Sequence, residues 1–340
     1  CTVVGLSVQA QQQPLTNDQY FNNNFKNIVN PLPVIKQWTD NSHFTWQHDG
    51  KNFIVDAATG AEQEAAEAQL NSSAIAQQPE IKVEEHDIFV TINGEKIQLT
   101  HDEAEEKNPT WSPDGKWIAY TKKNDLYSIE LATKKETRLT EDGSDVIMNG
   151  YASWVYMEEI LGRATHYRAF WWSPDSKHIA FFRTDDSAVP VFTLTDGAGQ
   201  HGYVETMRYP KVGDKNPQVK VGIVIPNARS GNITWAELNP RDDQYIGMPY
   251  WKPDGSSLLV QWMNRKQNNL KIWEVDPSNG MKESFYNETQ KTWIDLDDEG
   301  SRMVFLNNNK GFLLFSDSLG WRQLYYYDMK GKLINPVTKG

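Results

Sequence analysis

Cysteine is all but missing from this chain. Cys1 is the only one in 340 residues, so no intrachain disulfide can form. Neither H-E-x-x-H nor a paired C-x-x-C occurs, so the spaced ligand sets that mark zinc sites are absent. No apolar run reaches about 18 residues, the length a membrane-spanning helix needs. No G-x-S-x-G turn, the strained elbow that presents a hydrolase serine, occurs either. Positive charge is in short supply: 34 Lys and Arg stand against 45 Asp and Glu, for a net charge of -11. Phosphate binding rests on Lys and Arg, so this balance argues against a nucleic-acid partner.

Aromatic residues are plentiful, with 13 Trp, 14 Tyr and 13 Phe. Such a load builds a large core or lines clefts. The N-terminal stretch CTVVGLSVQAQQQP is a short apolar run, then Val-Gln-Ala, then Gln-rich polar sequence. It reads as the remnant of a secretory signal peptide over residues 1–10, with cleavage after Ala10. An ordinary N-terminal strand is the alternative. A lipid on Cys1 fits less well, because an apolar run rather than a polar tether follows it. Export would place the protein in a periplasm, on a cell surface or outside the cell. The chain stops at NPVTKG with no winding down, so a fragment is expected. A lead segment over 11–40 then precedes the repeats, which fill 41–340.

The repeats are visible by eye. TWSPDGKWIAY at 110–120, WWSPDSKHIAFF at 171–182 and YWKPDGSSLLVQ at 250–261 share one pattern. TWQHDGKNFIV at 45–55 follows it, and DDEGSRMVF at 297–305 does so without the tryptophan. Each has a Pro-Asp-Gly type turn, then a polar residue, then an apolar strand. Proline presets φ at the second turn position, and Asp with Gly completes the reversal. Second strands follow, as in DLYSIEL at 125–131, LKIWEVD at 270–276 and QLYYYD at 323–328. Strand and turn at repeated spacing imply an all-β fold, a β-propeller of four-stranded blades. Trp46, Trp111, Trp172 and Trp251 stand 65, 61 and 79 residues apart. A bare blade needs roughly 40–50 residues, so insertions are expected. About five blade starts are present, which fits an incomplete larger ring. AATGAEQEAAEAQL at 57–70 has helical propensity and reads as a helical or loose insertion.

The segment WVYMEEILGR, 154–163, sets Glu158 against Glu159 among apolar residues. Like charges in a partly dry place need a cation, or one takes up a proton. On a strand the two would face opposite ways. On a helical turn they lie about 100° apart and can reach one cavity. Good helix formers followed by Gly162 favour a short helical insertion carrying the pair. Two converging carboxylates make a receptor for an ammonium group. The plainer alternatives are a solvated acidic pair, or neutralisation by Arg163 or Arg168.

WVYMEEILGR, AFWWSPDSKHIAFFRTDDSAVP at 169–190 and MRYPKVGDKNPQVKVGI at 207–223 together resemble the N-terminal β-propeller of the dipeptidyl peptidase IV family. Bacterial members are the nearest likeness. LVQWMNRKQNNLKIWEVD at 259–276 and DSLGWRQLYYYDMKGKL at 317–333 extend it, so that it covers about 40–340. The resemblance implies an eight-bladed propeller over an α/β-hydrolase domain with a Ser-Asp-His triad. It implies a serine peptidase without cofactor or metal, which removes N-terminal dipeptides whose second residue is Pro or Ala. It also implies that Glu158 and Glu159 bind the substrate's α-ammonium. No catalytic residue is assigned within this chain, and the triad is expected beyond Gly340. Family members commonly dimerise, so a homodimer of the full-length protein is a possible partner arrangement. The arginine that some members use near the substrate's second residue has no counterpart in THDEAEEKNPT, 100–110, where only Lys107 and His101 could substitute.

A free-standing envelope propeller acting as a binding module is the rival reading, since fold does not fix function. A mid-chain endopeptidase of the prolyl oligopeptidase group fits poorly, because an amine anchor selects for chain ends. His166 and Tyr167 are candidates to line the cleft; Trp171, Trp172, Arg208, Tyr209 and Pro210 read as packing residues. NRKQNNLK, 264–271, reads as a turn.

Overall fold

The computed structural model describes residues 16–22, 34–39, 43–48, 50–56, 61–65, 78–294, 302–306, 310–320 and 322–338. The expected signal remnant, 1–10, lies outside them. The chain divides into two units, Cys1–Ala76 and Gln77–Gly340.

The first unit holds helix α1, Asn17–Asn22, and a four-stranded antiparallel sheet built in chain order. Its third strand, Lys51–Asp56, is the strand of the first repeat. Its edge strand is Glu62–Glu64, inside the stretch expected to be helical. Main-chain bonds from Asp56 to Ala61 and from Ala65 to Asn52 tie that segment to the sheet. A ready sheet edge here overrides the helix propensity of Ala and Glu. The rest of 57–70 lies outside the described residues.

The second unit is a series of antiparallel sheets. A three-stranded sheet uses Glu80–Glu84, Asp87–Ile92 and Glu95–Gln98. A four-stranded sheet follows over Glu106–Arg138, containing Trp111. Five-stranded sheets contain Trp172 and Trp251, and a four-stranded sheet runs from Met303 to Pro336. The described strand residues of each of the five repeat motifs thus lie in a sheet of their own. The 80–98 sheet was not anticipated, because it lacks a tryptophan start. Its Asn93-Gly94 turn, with φ of 52° and 81°, is the usual signature of a tight hairpin.

The turn chemistry recurs atom by atom. Ser112 donates to Asp114 at 2.7 Å and accepts from the Trp117 amide at 3.0 Å. Ser173 donates to Asp175 at 2.6 Å and accepts from the His178 amide at 2.9 Å. Burial works against the ionised Asp114 and Asp175, but these donors more than offset it and hold both carboxyls below the usual range.

Three tryptophans tie their sheets to the chain segment before them. The Trp111 indole donates to the Pro79 carbonyl at 2.9 Å, Trp172 to Thr110 at 3.2 Å and Trp251 to Trp171 at 3.1 Å. Apolar cores fill the spaces between successive sheets: Ile88 and Val90 against Tyr120 and Ile129, then Phe182 and Val221 against Leu258 and Val260. Trp171 and Trp172 therefore serve packing, as the sequence implied.

Candidate functional site

Helix α2, Trp154–Glu159, lies in the long insertion of the Trp172 sheet. Ser153 caps it, its side chain accepting from the Tyr156 amide at 3.4 Å. The helix ends where the Ile160 and Leu161 amides both turn back to the Tyr156 carbonyl. Gly162 then takes φ 80° and ψ 145°, a conformation open to glycine alone. One face of this turn is inward: Tyr156, Met157, Ile160 and Leu161 are buried in the largest core cluster. The buried Tyr156 hydroxyl accepts the Ile246 amide hydrogen at 3.2 Å, which pins the helix to the next sheet. Trp154 packs on Tyr209 with ring centroids 4.6 Å apart.

The other face carries Val155, Glu158 and Glu159, three and four residues apart and so neighbours on a helix. All three line one pocket of about 440 Å³, with Ile160, Asn216, Tyr245, Met263, Gln267, Trp293 and Ile294. The helical turn thus brings the two sequence-selected glutamates to one cavity, which a strand could not do.

The two carboxylates differ in company. Glu158 is mostly buried and takes two hydrogen bonds from Arg163 Nε, at 2.8 and 2.7 Å, with a further contact from Arg163 Nη2. Arg163 itself is 78 % exposed, so its hold is screened by water. Glu159 is exposed and no hydrogen bond to it is seen among the described residues, although the Arg163 charge acts on it as well as on Glu158. Arg163 therefore hydrogen-bonds one glutamate and reaches the other by charge alone, which leaves the Glu159 oxygens open to a further donor. Arg168 takes no part; it donates to Thr110 at 3.4 Å.

The remaining candidates sort out differently. Tyr167 stacks on Tyr151 at 5.1 Å and neither it nor His166 lines the glutamate pocket. Lys107 pairs with Glu105 at 3.1 Å and sits over the Tyr151 ring, beside a separate pocket of about 270 Å³. Arg208 donates to the Val189 carbonyl at 2.6 Å, a structural bond. The 264–271 stretch is the end of one strand, a turn over 265–268 and the start of the next strand, with Asn264 accepting from the Asn268 and Asn269 amides. Its Gln267 reaches the glutamate pocket, a placement that spacing alone did not reveal.

Elsewhere the fold shows how it holds an ammonium. Asp102, Glu106 and Glu136 bring carboxylate oxygens within 4.8 Å of one another, an acidic group that the sequence did not reveal. Lys122 Nζ lies among them, at 2.6, 3.4 and 2.9 Å. Burial pulls the Lys122 pKa down, yet the hydrogen bonds it donates to Asp102 and Glu136 more than reverse this. Burial also pushes Glu106 up to about 7, against the Thr100 hydroxyl and Lys122. An amine in a nest of carboxylates is thus a stable arrangement in this very molecule.

Comparison with known proteins places the chain. Residues 64–340 match the family model for the dipeptidyl peptidase IV N-terminal region. A dipeptidyl peptidase 4 of Trichophyton tonsurans is 33% identical over 241 residues, 68% of this chain and 30% of that one. One from Arthroderma otae is 34% identical over 242 residues, with the same coverage. The crystal structure of Porphyromonas gingivalis dipeptidyl peptidase 4 superposes with a TM-score of 0.68 at 22% identity, covering 97% of this chain and 50% of that one. That likeness establishes the β-propeller fold. The chain spans about a third of the length of the curated relatives and half of the solved one.

Proposed function

This chain belongs to the family of the dipeptidyl peptidase IV N-terminal region, and from that premise we propose that it is the substrate-gating propeller of a serine dipeptidyl peptidase. Its substrates are peptides with a free N-terminus and Pro or Ala as the second residue. Glu158 and Glu159 anchor the α-ammonium. The observation that supports this reading is their convergence on one pocket, with Glu159 exposed there.

The chemistry follows from positioning. With the ammonium fixed between two carboxylates, the peptide enters with its first two residues in a set register. Only the second peptide bond then reaches a nucleophilic serine supplied by a following domain. Holding the reacting bond in place replaces a chance encounter by an oriented one. The serine would attack as an acyl acceptor with a histidine as base. No cofactor enters this scheme.

Glu158→Gln or Glu159→Gln in the full-length enzyme should lower turnover of Xaa-Pro substrates at least tenfold. A charge-assisted hydrogen bond is worth roughly 1.5–3 kcal/mol. Wild-type rates in both variants would end the anchor assignment.

We propose two further features of the whole protein. It is exported, on the strength of the 1–14 pattern; a mature N-terminus at Gln11 is expected, and retention of residues 1–10 in the cytoplasm would refute it. It also pairs with a second copy. The hairpin of Val191–Asp196 and Tyr203–Arg208 leaves Val191, Leu194, Tyr203 and Val204 exposed, which supports such pairing. Sedimentation of a monomer at micromolar concentration would refute it.

A further inference from the structure

We infer that Asn108 is a positioning residue for the ammonium anchor, acting on the glutamate helix through the His166 carbonyl. This rests on the ammonium-anchor reading above. Asn108 does not line the glutamate pocket, so it acts only through what it holds. It belongs to the sheet before the one that carries the helix.

Asn108 stands on a β-bulge. Lys107 pairs with Thr121 and Thr110 with Ala119, so Asn108 and Pro109 together face the single residue Tyr120. A bulge bends its strand and re-aims the side chains on it. Pro109 has no N–H to give to the ladder, which suits the interruption. Asn108 takes φ 56°, a left-handed conformation that asparagine tolerates better than most residues. From there its Nδ2 donates to the His166 carbonyl at 3.0 Å. At the far side of the bulge, the Thr110 hydroxyl accepts from Arg168 at 3.4 Å and the Thr110 carbonyl from the Trp172 indole at 3.2 Å. The bulge thus grips the returning end of the insertion that carries the glutamates.

His166 is a point where such a grip matters. His166 and Tyr167 take φ of 49° and 68°, two strained non-glycine residues in succession. Such conformations persist where the surroundings fix them. The His166 amide donates to the Arg163 carbonyl at 3.0 Å and closes the turn that carries Arg163, the partner of Glu158. The Tyr167 carbonyl accepts the Ala152 amide at 2.8 Å, next to Ser153, the cap of the glutamate helix. Tyr167 also stacks on Tyr151. The strained pair therefore ties the end of the insertion to its start, and Asn108 holds that pair from the preceding sheet.

Without the Asn108 donor the pair relaxes, and the two carboxylates lose their fixed spacing. The substrate's amine is then held less well, while contacts to the rest of the substrate stay. The test uses the full-length enzyme, a Gly-Pro anilide as substrate and a des-amino Xaa-Pro analogue as competitive inhibitor. Asn108→Gly keeps the left-handed backbone and removes the donor. Asn108→Asp keeps the shape but turns only acceptors toward an acceptor carbonyl. Both should lower kcat/KM about fivefold, the scale of one neutral hydrogen bond, mainly through KM. Neither should change the inhibition constant of the des-amino analogue, which a general loosening of the fold would raise. An unchanged KM in both variants, or an inhibition constant that rises in step with KM, overturns the assignment. Glu159→Gln, assayed on the same two compounds, reads the anchor itself. If it leaves kcat/KM intact, the anchor has failed and the role of Asn108 falls with it. If it lowers kcat/KM at least tenfold while both Asn108 variants match wild type, the anchor stands and only the role of Asn108 is refuted.

Discussion

Removing the Tyr156 hydroxyl tests how the glutamates are held. Tyr156 is 1% exposed and its hydroxyl accepts the Ile246 amide hydrogen at 3.2 Å, across from the helix to the next sheet. Ile246 is itself fully buried. In Tyr156→Phe the ring keeps its edge contact with Phe182, at 6.2 Å between centroids, so no large cavity opens. What remains is a buried N–H without a partner, which costs about 1–3 kcal/mol. For a unit of this size each kcal/mol lowers Tm by roughly 2–4 °C, so a fall of about 5 °C is expected. Hydrogen exchange at the Ile246 amide should accelerate, and KM for Xaa-Pro substrates should rise because the helix carrying both glutamates is less fixed. Thermal unfolding and exchange measured on the same sample check this. An unchanged Tm together with unchanged protection at Ile246 would show that the bond does not hold the helix.

Three other outcomes follow from buried charge. Lys122→Met leaves Asp102, Glu106 and Glu136 facing one another without their amine, and should destabilise the chain by about 3–5 kcal/mol in chemical denaturation. Adding Glu106→Gln to that variant should recover part of the loss; no recovery would mean that the fully buried carboxylate is not the source. Burial raises the Asp186 pKa from 3.8 to about 7, with the Arg208 charge opposing, and Asp186 Oδ1 has no hydrogen-bond partner. The folded state keeps a proton there that the unfolded chain has lost, so this stabilisation is complete below pH 3.8 and is gone as pH rises through about 7. Asp186→Asn should therefore flatten the fall of Tm between pH 4.5 and 7.5, and superimposable profiles would refute the assignment.

The sequence made the β architecture legible because each sheet repeats one local device. Proline, aspartate and a small residue make a turn whose polar atoms are satisfied within five residues, so Ser112 to Trp117 and Ser173 to His178 can be read without knowing the rest. The 80–98 sheet escaped because its start has no tryptophan to reach back to an earlier sheet. The Glu62–Glu64 strand escaped because a sheet edge, not local propensity, decides it. The glutamates could be placed on a helical turn from their neighbours alone. Their pocket could not, since Tyr245, Gln267 and Trp293 come from a strand, a turn and a loop some hundred residues later. Nor could the asymmetry between them, which depends on Arg163 curling back from the next turn.

The most direct test of the account is a thermodynamic cycle on the amine. Affinities of a dipeptide-type Xaa-Pro ligand and of its des-amino analogue would be measured by calorimetry for the wild-type full-length protein and for Glu159→Gln. The account expects the substitution to weaken the amine ligand at least tenfold, about 1.4 kcal/mol, and to leave the des-amino analogue nearly unaffected. Equal weakening of both ligands, or of neither, would contradict the claim that Glu159 holds the α-ammonium.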